Sequence, residues 1–439
     1  MRRLDFPPDH PQRIELADEV HARPPAPVAT PSRASYVAVL VDAEARGSEM
    51  RHLHALCKRW DAPPPTQDAT HFRASLGPIR LKWERHGEFS GYTFLIDDLS
   101  DAPFGVTATA LLPPEWLSAI PGRTIAAVHA EITAPASQPP EASELAQRFG
   151  NSALVGSRVV DGAGMLFTDF RLHDDGCSRV WLINERMTPP QAGRIVQRLF
   201  EIEAYRVLAL LALPIARRQA PRIAAIEDAL ATLTDQMARN DDAKGPAVDA
   251  GERDESLLHE LMLLAAEIES GIAASQFRFG ACQAYHGLVQ GRIAELREER
   301  LPGLQTVDEF MGRRLAPAAA TCATAAQRLK SLADRIGQTS ALLATRVGIA
   351  NERQNQDLLA SMDRRAKLQL RLQQTVEGLS VAAIVYYVAG LMGYVGKALR
   401  GAGVPIDPDL VVGASIPLVA ALLLWSLRRM RARLTSESH

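Results

Sequence analysis

Between residues 35 and 185, short segments alternate apolar and polar residues and are separated by turn residues such as Gly77-Pro78. This two-residue period is typical of half-buried strands joined by hairpins. The predicted strands are 35–41, 71–76, 79–86, 89–96, 125–133, 153–160, 164–172 and 179–185. Short helices are predicted over 49–60, 114–119 and 141–149. Because hairpins outnumber regular β-α-β units, the sequence predicts an α+β fold with a mostly antiparallel sheet.

From residue 188 onward the hydrophobic pattern changes to the longer period of helices. Thr188 followed by Pro189 predicts a helix N-terminus, and Pro214 predicts a kink in this helix. The predicted helices run from Pro189 to about Asn240, from Glu252 to Arg300, and from near Thr306 onward. The charged run 295–300 predicts a solvated face of the second helix.

The third helix carries Leu329, Ile336, Leu343 and Ala350 seven residues apart, which is the spacing of a coiled-coil seam. A continuous helix from 317 to 396 would be about 120 Å long. The sequence therefore predicts a helical, coiled-coil stalk that leads into the C-terminal segment. Such a seam favours a homo-oligomer.

Two C-terminal runs, 378–396 and 410–427, contain no Asp, Glu, Lys, Arg or His. Each is long enough to cross a hydrocarbon layer of about 30 Å as a helix, which satisfies its own backbone hydrogen bonds. The pair predicts a transmembrane helical hairpin. Gly390, Gly393 and Gly396 form a small-residue stripe that would allow another helix to pack closely.

Basic residues beside these runs predict the orientation of the hairpin in the membrane. One group precedes the first run, at Arg364, Arg365, Lys367 and Arg371, and a second follows the other run, at Arg428, Arg429, Arg431 and Arg433. The positive-inside rule then places both termini in the cytoplasm and the loop 397–409 outside. We expect a two-span membrane protein with most of the chain in the cytoplasm.

The predicted organisation has seven segments. They are an N-terminal arm (1–34), a cytoplasmic sheet domain (35–187), a helical stalk (188–377), two membrane helices (378–396 and 410–427) joined by an external loop (397–409), and a basic cytoplasmic tail (428–439).

Composition narrows the function classes without selecting one. The 439 residues are 47% hydrophobic and 23% charged, which excludes wholesale disorder. The net charge of −2 gives no reason to expect nucleic-acid binding. Four cysteines stand far apart without zinc spacing, so we expect a reducing compartment and neither a disulfide framework nor an implied cofactor.

The densest polar segment lies near the start of the chain, and its candidate functional residues are His10, Arg13, Glu19, His21 and Arg23. The imidazoles and the carboxylate could ligate a metal, and the guanidinium groups could bind a phosphate. The spacing matches no defined metal site, so the structural alternative is an arm held to the domain by salt bridges. In that interpretation Leu16 and Val20 anchor one face of a short helix.

Several stretches resemble an uncharacterised bacterial family of predicted membrane-anchored proteins, a domain of unknown function. They are HPQRIELADEVHARPP (10–25), LFEIEAYRVLALLALPIAR (199–217), SQFRFGACQAY (275–285) and the terminal hairpin. The resemblance covers the whole chain. It implies a location at the bacterial inner membrane and no particular activity, so it assigns no catalytic residue.

The predicted architecture also resembles, more loosely, that of CorA-type magnesium channels. Those channels carry a Gly-Met-Asn signature where this chain reads Gly390-Leu391-Met392-Gly393-Tyr394, so the asparagine is missing. In the loop, Asp407 and Asp409 supply the carboxylates that a hydrated Mg²⁺ would need. Magnesium is implied under this resemblance alone.

These observations favour a membrane-anchored, oligomeric scaffold that presents its sheet domain to a cytoplasmic protein partner. The alternatives are a CorA-like divalent-cation channel and a membrane-tethered enzyme that uses the N-terminal polar segment. No catalytic motif supports an enzyme, and the sequence leaves that question open.

Overall fold

The computed structural model describes residues 7–19, 24–135, 140–150, 153–242, 247–401 and 407–436. The strands in these residues are β1 Ser32–Leu40, β2 His71–Leu76, β3 Ile79–Arg85, β4 Phe89–Ile96, β5 Arg123–Thr133, β6 Val155–Val159, β7 Gly164–Thr168, β8 Ser178–Asn184 and β9 Glu299–Arg300. The helices are α1 Arg13–Glu19, α2 Arg46–Arg59, α3 Pro114–Ser118, α4 Ala142–Phe149, α5 Pro189–Leu210, α6 Leu213–Asp242, α7 Ala247–Leu296, α8 Val307–Gly401 and α9 Pro408–Ser436.

All nine strands join one sheet in the order β2-β3-β4-β1-β5-β8-β7-β6-β9. The central β5–β8 pair is parallel, and the other named strand pairs are antiparallel. The predicted α+β class with a mostly antiparallel sheet is confirmed. The alternation of apolar and polar residues predicted the strands because successive side chains of a strand point to opposite faces of the sheet.

Helices cover both faces of the sheet. On one face, Leu53 and Leu56 of α2 pack with Trp83, Tyr92 and Phe94 in the larger apolar core. A smaller core on the same face joins α4 to β7 and β8 through Phe149, Phe167 and Trp181. On the other face α5 packs against β1, where Tyr36 stacks on Phe200 with ring centroids 5.1 Å apart.

The helical part departs from prediction at two places. The first predicted helix is divided into α5 and α6 at Leu211–Ala212, two residues before Pro214. The charged residues of the run 295–300 are mostly exposed, as a solvated face requires, but the helix does not continue through the run. Instead α7 ends at Leu296, Arg297 takes a left-handed conformation with φ 49°, and β9 pairs with β6. Glu298 then accepts hydrogen bonds from the backbone N–H groups of Val307 and Asp308 at 2.9 and 3.0 Å, which caps α8.

The chain forms two compact units, Met1–Ala238 with His259–Ser340, and Arg239–Leu258 with Ala341–His439. In the first unit the heptad residues Leu329 and Ile336 are buried, and Leu329 lies beside Gly271 of α7. In the second unit Arg346 of α8 forms an ion pair with Asp254 of α7 at 3.3 Å.

A strap of the N-terminal arm, residues 24–31, is held between the sheet and α5. Val28 N–H donates to the carbonyl of Pro189 at 2.9 Å. A Cβ atom on Gly193 of α5 would overlap the carbonyl oxygen of Ala26, so glycine is required at this close approach.

We expect Gly193→Ala to lower the free energy of unfolding by about 1–3 kcal/mol, because two backbone segments must move apart. Urea denaturation of the full chain measures this change. Gly280→Ala in α7 is the matched control, since nothing lies within 4 Å of its added Cβ. The control should be neutral or stabilise by about 0.5–1 kcal/mol. Equal effects of the two substitutions would contradict the close approach.

Candidate functional site

The structure describes the side chains of two of the five N-terminal polar candidates, His10 and Arg13. His10 and Arg13 are exposed. His10 Nδ1 accepts the backbone N–H of Gln12 at 3.2 Å, and Arg13 pairs with Asp9. Glu19 ends α1, with no described side-chain position, and His21 and Arg23 lie outside the described residues.

The structure also corrects the proposed packing of this arm. Leu16 is 60% exposed and anchors nothing, so that prediction was wrong, and Val20 lies outside the described residues. Two carbonyl groups of the strap, residues 24–31, accept hydrogen bonds from arginines of the sheet. Arg80 donates to the carbonyl of Pro27 at 2.8 Å, and Arg73 donates to that of Pro24.

A buried ion pair lies on the face of the sheet that carries α4. Glu131 of β5 and Arg148 of α4 are paired and are 4% and 8% exposed. Glu131 also accepts the backbone N–H of Phe104 at 2.6 Å, and the Arg148 guanidinium stacks over the Trp181 ring at 4.0 Å. The pair therefore joins a strand, a helix and the loop after β4 in a low-dielectric environment.

His129 lies two residues before Glu131 on β5 and therefore on the same face of the sheet. Its Nδ1 lies 2.8 Å from Ser35 Oγ on the neighbouring strand, and its Nε2 lies 3.9 Å from Asp175 Oδ2. Serine, histidine and aspartate are the residue types of a hydrolase triad. Ser35 is fully buried, however, and its hydroxyl also accepts the N–H of Thr109 at 3.3 Å. The arrangement therefore serves to pair buried polar groups.

We expect His129 to make the stability of the domain decrease in acid. Burial lowers the pKa of His129, and the nearby Asp175 only partly opposes this effect. A histidine with a depressed pKa in the folded state is protonated more readily when unfolded, so stability is retained above about pH 6.5 and lost as the pH falls below it. Urea midpoints at about pH 7.5 and about pH 5.5 should differ less in His129→Gln than in the parent chain. An unchanged difference would exclude this origin.

On the opposite face a chain of polar contacts connects the sheet to two helices. Lys82 Nζ lies 2.9 Å from Glu84 of β3 and donates to Gln197 of α5 at 2.9 Å. Gln197 donates to Glu201 at 2.7 Å, and Glu201 pairs with Arg292 of α7. Burial lowers the pKa of Lys82, and Glu84 opposes that shift. These contacts satisfy buried charges and fix α5 and α7 to the sheet.

The C-terminal part of α8 and the stretch Val412–Leu423 of α9 present apolar surface that the other described residues leave uncovered. Among the described residues, α8 is the one helix long and apolar enough to cross a membrane. Its most apolar window has a mean hydropathy of 1.7 and is only 6% buried. In α9 the apolar stretch Val412–Leu423 is shorter. Exposed apolar residues of this extent mark contact with lipid or with another protein.

The glycine stripe faces α9 only in part. A Cβ on Gly393 would lie 3.2 Å from Val412 of α9, and Gly396 is buried. Gly390 is exposed and has nothing within 4 Å of its Cβ position. Instead, the buried Ala389 lies one turn before Gly393.

The basic residues after the second apolar run are partly described. Arg429 lies in α9 with its guanidinium over the Trp425 ring at 5.0 Å. Arg428, Arg431 and Arg433 occupy the same helix, and their side chains lie outside the described part of the structure. No cluster of three or more His, Cys, Asp or Glu suited to a metal occurs among the described residues.

The buried polar groups of the sheet were not predicted from the sequence. His129 and Glu131 are two residues apart on β5, and so are Lys82 and Glu84 on β3. The sequence pattern that could have revealed them is two polar residues two positions apart, on one face of a strand whose other residues are mostly apolar. This signal indicates a buried polar group only once both faces of the sheet are known to be covered.

The chain is an α+β protein in which a sheet domain is followed by long helices. Apolar surface near the C-terminal end of these helices is uncovered. The chain belongs to the DUF3422 family, described as "Protein of unknown function", and the family model matches residues 8–434. The assignment to an uncharacterised family is thereby confirmed. No curated protein matches the chain. No solved structure matches it either, so the likeness to CorA-type channels stays a prediction.

Proposed function

We propose that this protein is anchored in the bacterial inner membrane by the C-terminal part of α8 and the apolar part of α9, and presents its sheet domain in the cytoplasm as a scaffold. The uncovered apolar end of α8 carries the proposal, because such a surface is stable in lipid and costly in water. Tyr386, Tyr387 and Leu391 are 76%, 74% and 64% exposed. The contact between Gly393 and Val412 supports a pair of spans at 378–396 and 410–427.

Charge supports the orientation. Arg364, Arg365 and Lys367 precede the first proposed span, and Arg429 follows the second. The loop between the spans carries two basic residues, Lys397 and Arg400. Retention of the basic flanks in the cytoplasm places the sheet domain and the C-terminal tail on the same side.

Self-association belongs to this proposal. Between 351 and 376 nearly every residue of α8 is exposed, including Leu358, Leu359 and Met362. A helix without packing partners is only marginally stable in water. Pairing with the same segment of a second copy would cover these side chains.

Topology reporters test the anchor. A reporter that is active only in the cytoplasm should function after His439, and one that is active only outside should function within the loop 397–409. The reverse pattern, or a cytoplasmic signal at both positions, would overturn the proposal.

The second candidate is a cation channel, which the continuity of α8 favours. This helix runs from Val307 to Gly401 without interruption, so one helix carries both the stalk and the first proposed span. Asp407 and Asp409 lie at the start of α9, where Asp407 Oδ1 accepts the N–H of Asp409 at 3.2 Å. Carboxylates at a pore entrance would attract Mg²⁺.

Liposomes that contain the full chain and a magnesium-sensitive dye test this candidate. Magnesium influx that falls in the Asp407→Asn, Asp409→Asn double variant would support a channel. Influx no greater than in empty liposomes would exclude magnesium conduction and leave the anchor intact.

A further inference from the structure

An open groove of about 470 Å³ lies over β2 and β3, on the face of the sheet that carries α5. Its lining includes the strap residues Ala26 and Pro27, the loop residues 61–63, and residues of both strands. We call this space the β2–β3 groove. Its volume lies within the range of about 300–1,000 Å³ that is usual for ligand clefts.

Three cationic side chains line the β2–β3 groove. Arg73 of β2 stands directly opposite Lys82 of β3 in the strand register, and Arg80 lies two residues before Lys82 on the same face. Like charges directly opposite each other in a sheet are destabilising. Asp61 is the one carboxylate among the described lining residues. The lining therefore has an excess of positive charge that a bound anion would offset.

The contacts of these cations leave hydrogen-bond donors for a ligand. Among the described residues, Arg73 donates to the carbonyl of Pro24 and has no carboxylate partner. Arg80 pairs with Asp97, and its Nε is buried without an acceptor in the described structure. Lys82 makes the two polar contacts given above, and an ammonium group has a further N–H to donate.

We propose that the β2–β3 groove binds the phosphate group of a small soluble molecule, held by Arg73, Arg80 and Lys82. Guanidinium groups donate paired hydrogen bonds to phosphate oxygens. A phosphate monoester carries a charge of about −1.5 to −2 at neutral pH, so it offsets more positive charge than a single carboxylate does. The groove is larger than a phosphate ion, which leaves room for an organic part beside Pro63 and Leu95. The site lies in the sheet domain and does not depend on the membrane anchor.

Isothermal titration calorimetry of the full chain in a neutral detergent tests this site. The probes are inorganic phosphate and glycerol 3-phosphate, and glycerol is the uncharged reference. We expect both phosphates to bind and glycerol to give no binding heat. Succinate, a dicarboxylate, should bind several-fold more weakly than glycerol 3-phosphate.

Arg73→Gln should weaken the affinity for glycerol 3-phosphate by about tenfold or more, because it removes charge-assisted hydrogen bonds. Arg73 is exposed, so its urea midpoint should stay near that of the parent chain. Ser75→Tyr should also weaken binding, because a ring on this lining residue fills part of the groove while the charges remain. Arg59→Gln, at an exposed position of α2 outside the groove, should leave the affinity unchanged.

Equal affinities of Arg73→Gln and Arg59→Gln for glycerol 3-phosphate, or no binding of either phosphate, would overturn the site. Succinate binding as tight as that of the ester would overturn the assignment to phosphate. If phosphatidic acid in mixed micelles abolishes binding of the ester, the phosphate belongs to a lipid headgroup and the soluble ligand is excluded. Each of these results leaves the membrane anchor unaffected.

Discussion

Replacing Arg148 with methionine is expected to lower the free energy of unfolding by about 3–5 kcal/mol, the range typical of a broken buried ion pair. The substitution leaves the Glu131 carboxylate, which is 4% exposed, without its cationic partner. It also removes the cation–π contact with Trp181. The N–H of Phe104 remains a donor to Glu131, and one neutral donor does not offset the cost of burying a carboxylate.

Urea denaturation of the full chain, followed by far-ultraviolet circular dichroism, measures this loss. Arg158→Met is the matched control, because Arg158 pairs with Glu185 at 3.1 Å with both side chains partly exposed. Exposed pairs contribute about 0–1 kcal/mol. Adding Glu131→Gln to Arg148→Met should recover part of the stability, since no unpaired charge then remains. An Arg148→Met cost no larger than that of Arg158→Met would refute the buried pair.

Placing two arginines in the first proposed span is expected to release the protein from membranes. Tyr387 is at the centre of 378–396, and Leu391 lies one turn further on the same helix. Arginine at a span centre costs about 2.5–3.5 kcal/mol, so Tyr387→Arg with Leu391→Arg costs about 5–7 kcal/mol. This penalty opposes the insertion of a span that contains no other charge.

The fraction of protein in the membrane pellet, determined by immunoblot, measures the effect. The control is Leu358→Arg with Leu359→Arg, which places the same charges on exposed positions of α8 outside the proposed span. The control should remain in the pellet. If both double variants sediment like the parent chain, the region around residue 387 does not lie in the hydrocarbon layer.

The strands of the sheet domain were predictable because alternation is a local property. β2 was predicted with its observed limits, and β5 differs from the predicted 125–133 by two residues at its start. β9 was not predictable in this way. Two charged residues form a strand there only because β6, far earlier in the chain, offers an edge to pair with.

The polar contacts of the domain depend on pairings between distant residues. Ser35 and His129 meet because β1 and β5 are neighbours in that register, and no sequence spacing encodes their contact. The apolar parts of α8 and α9 were predictable from composition alone, since an uncharged run of that length is rare in water-soluble segments. The approach of Gly393 to Val412 of α9 was not, because it depends on how the two helices pack.

Alkaline carbonate extraction of membranes that contain the full-length protein tests the anchor most directly. Carbonate strips peripherally bound proteins and leaves lipid-embedded helices in place. We predict that the chain stays in the pellet after extraction and floats with the lipid in a density gradient. Recovery of the intact chain in the carbonate supernatant would contradict the placement of α8 and α9 in the bilayer.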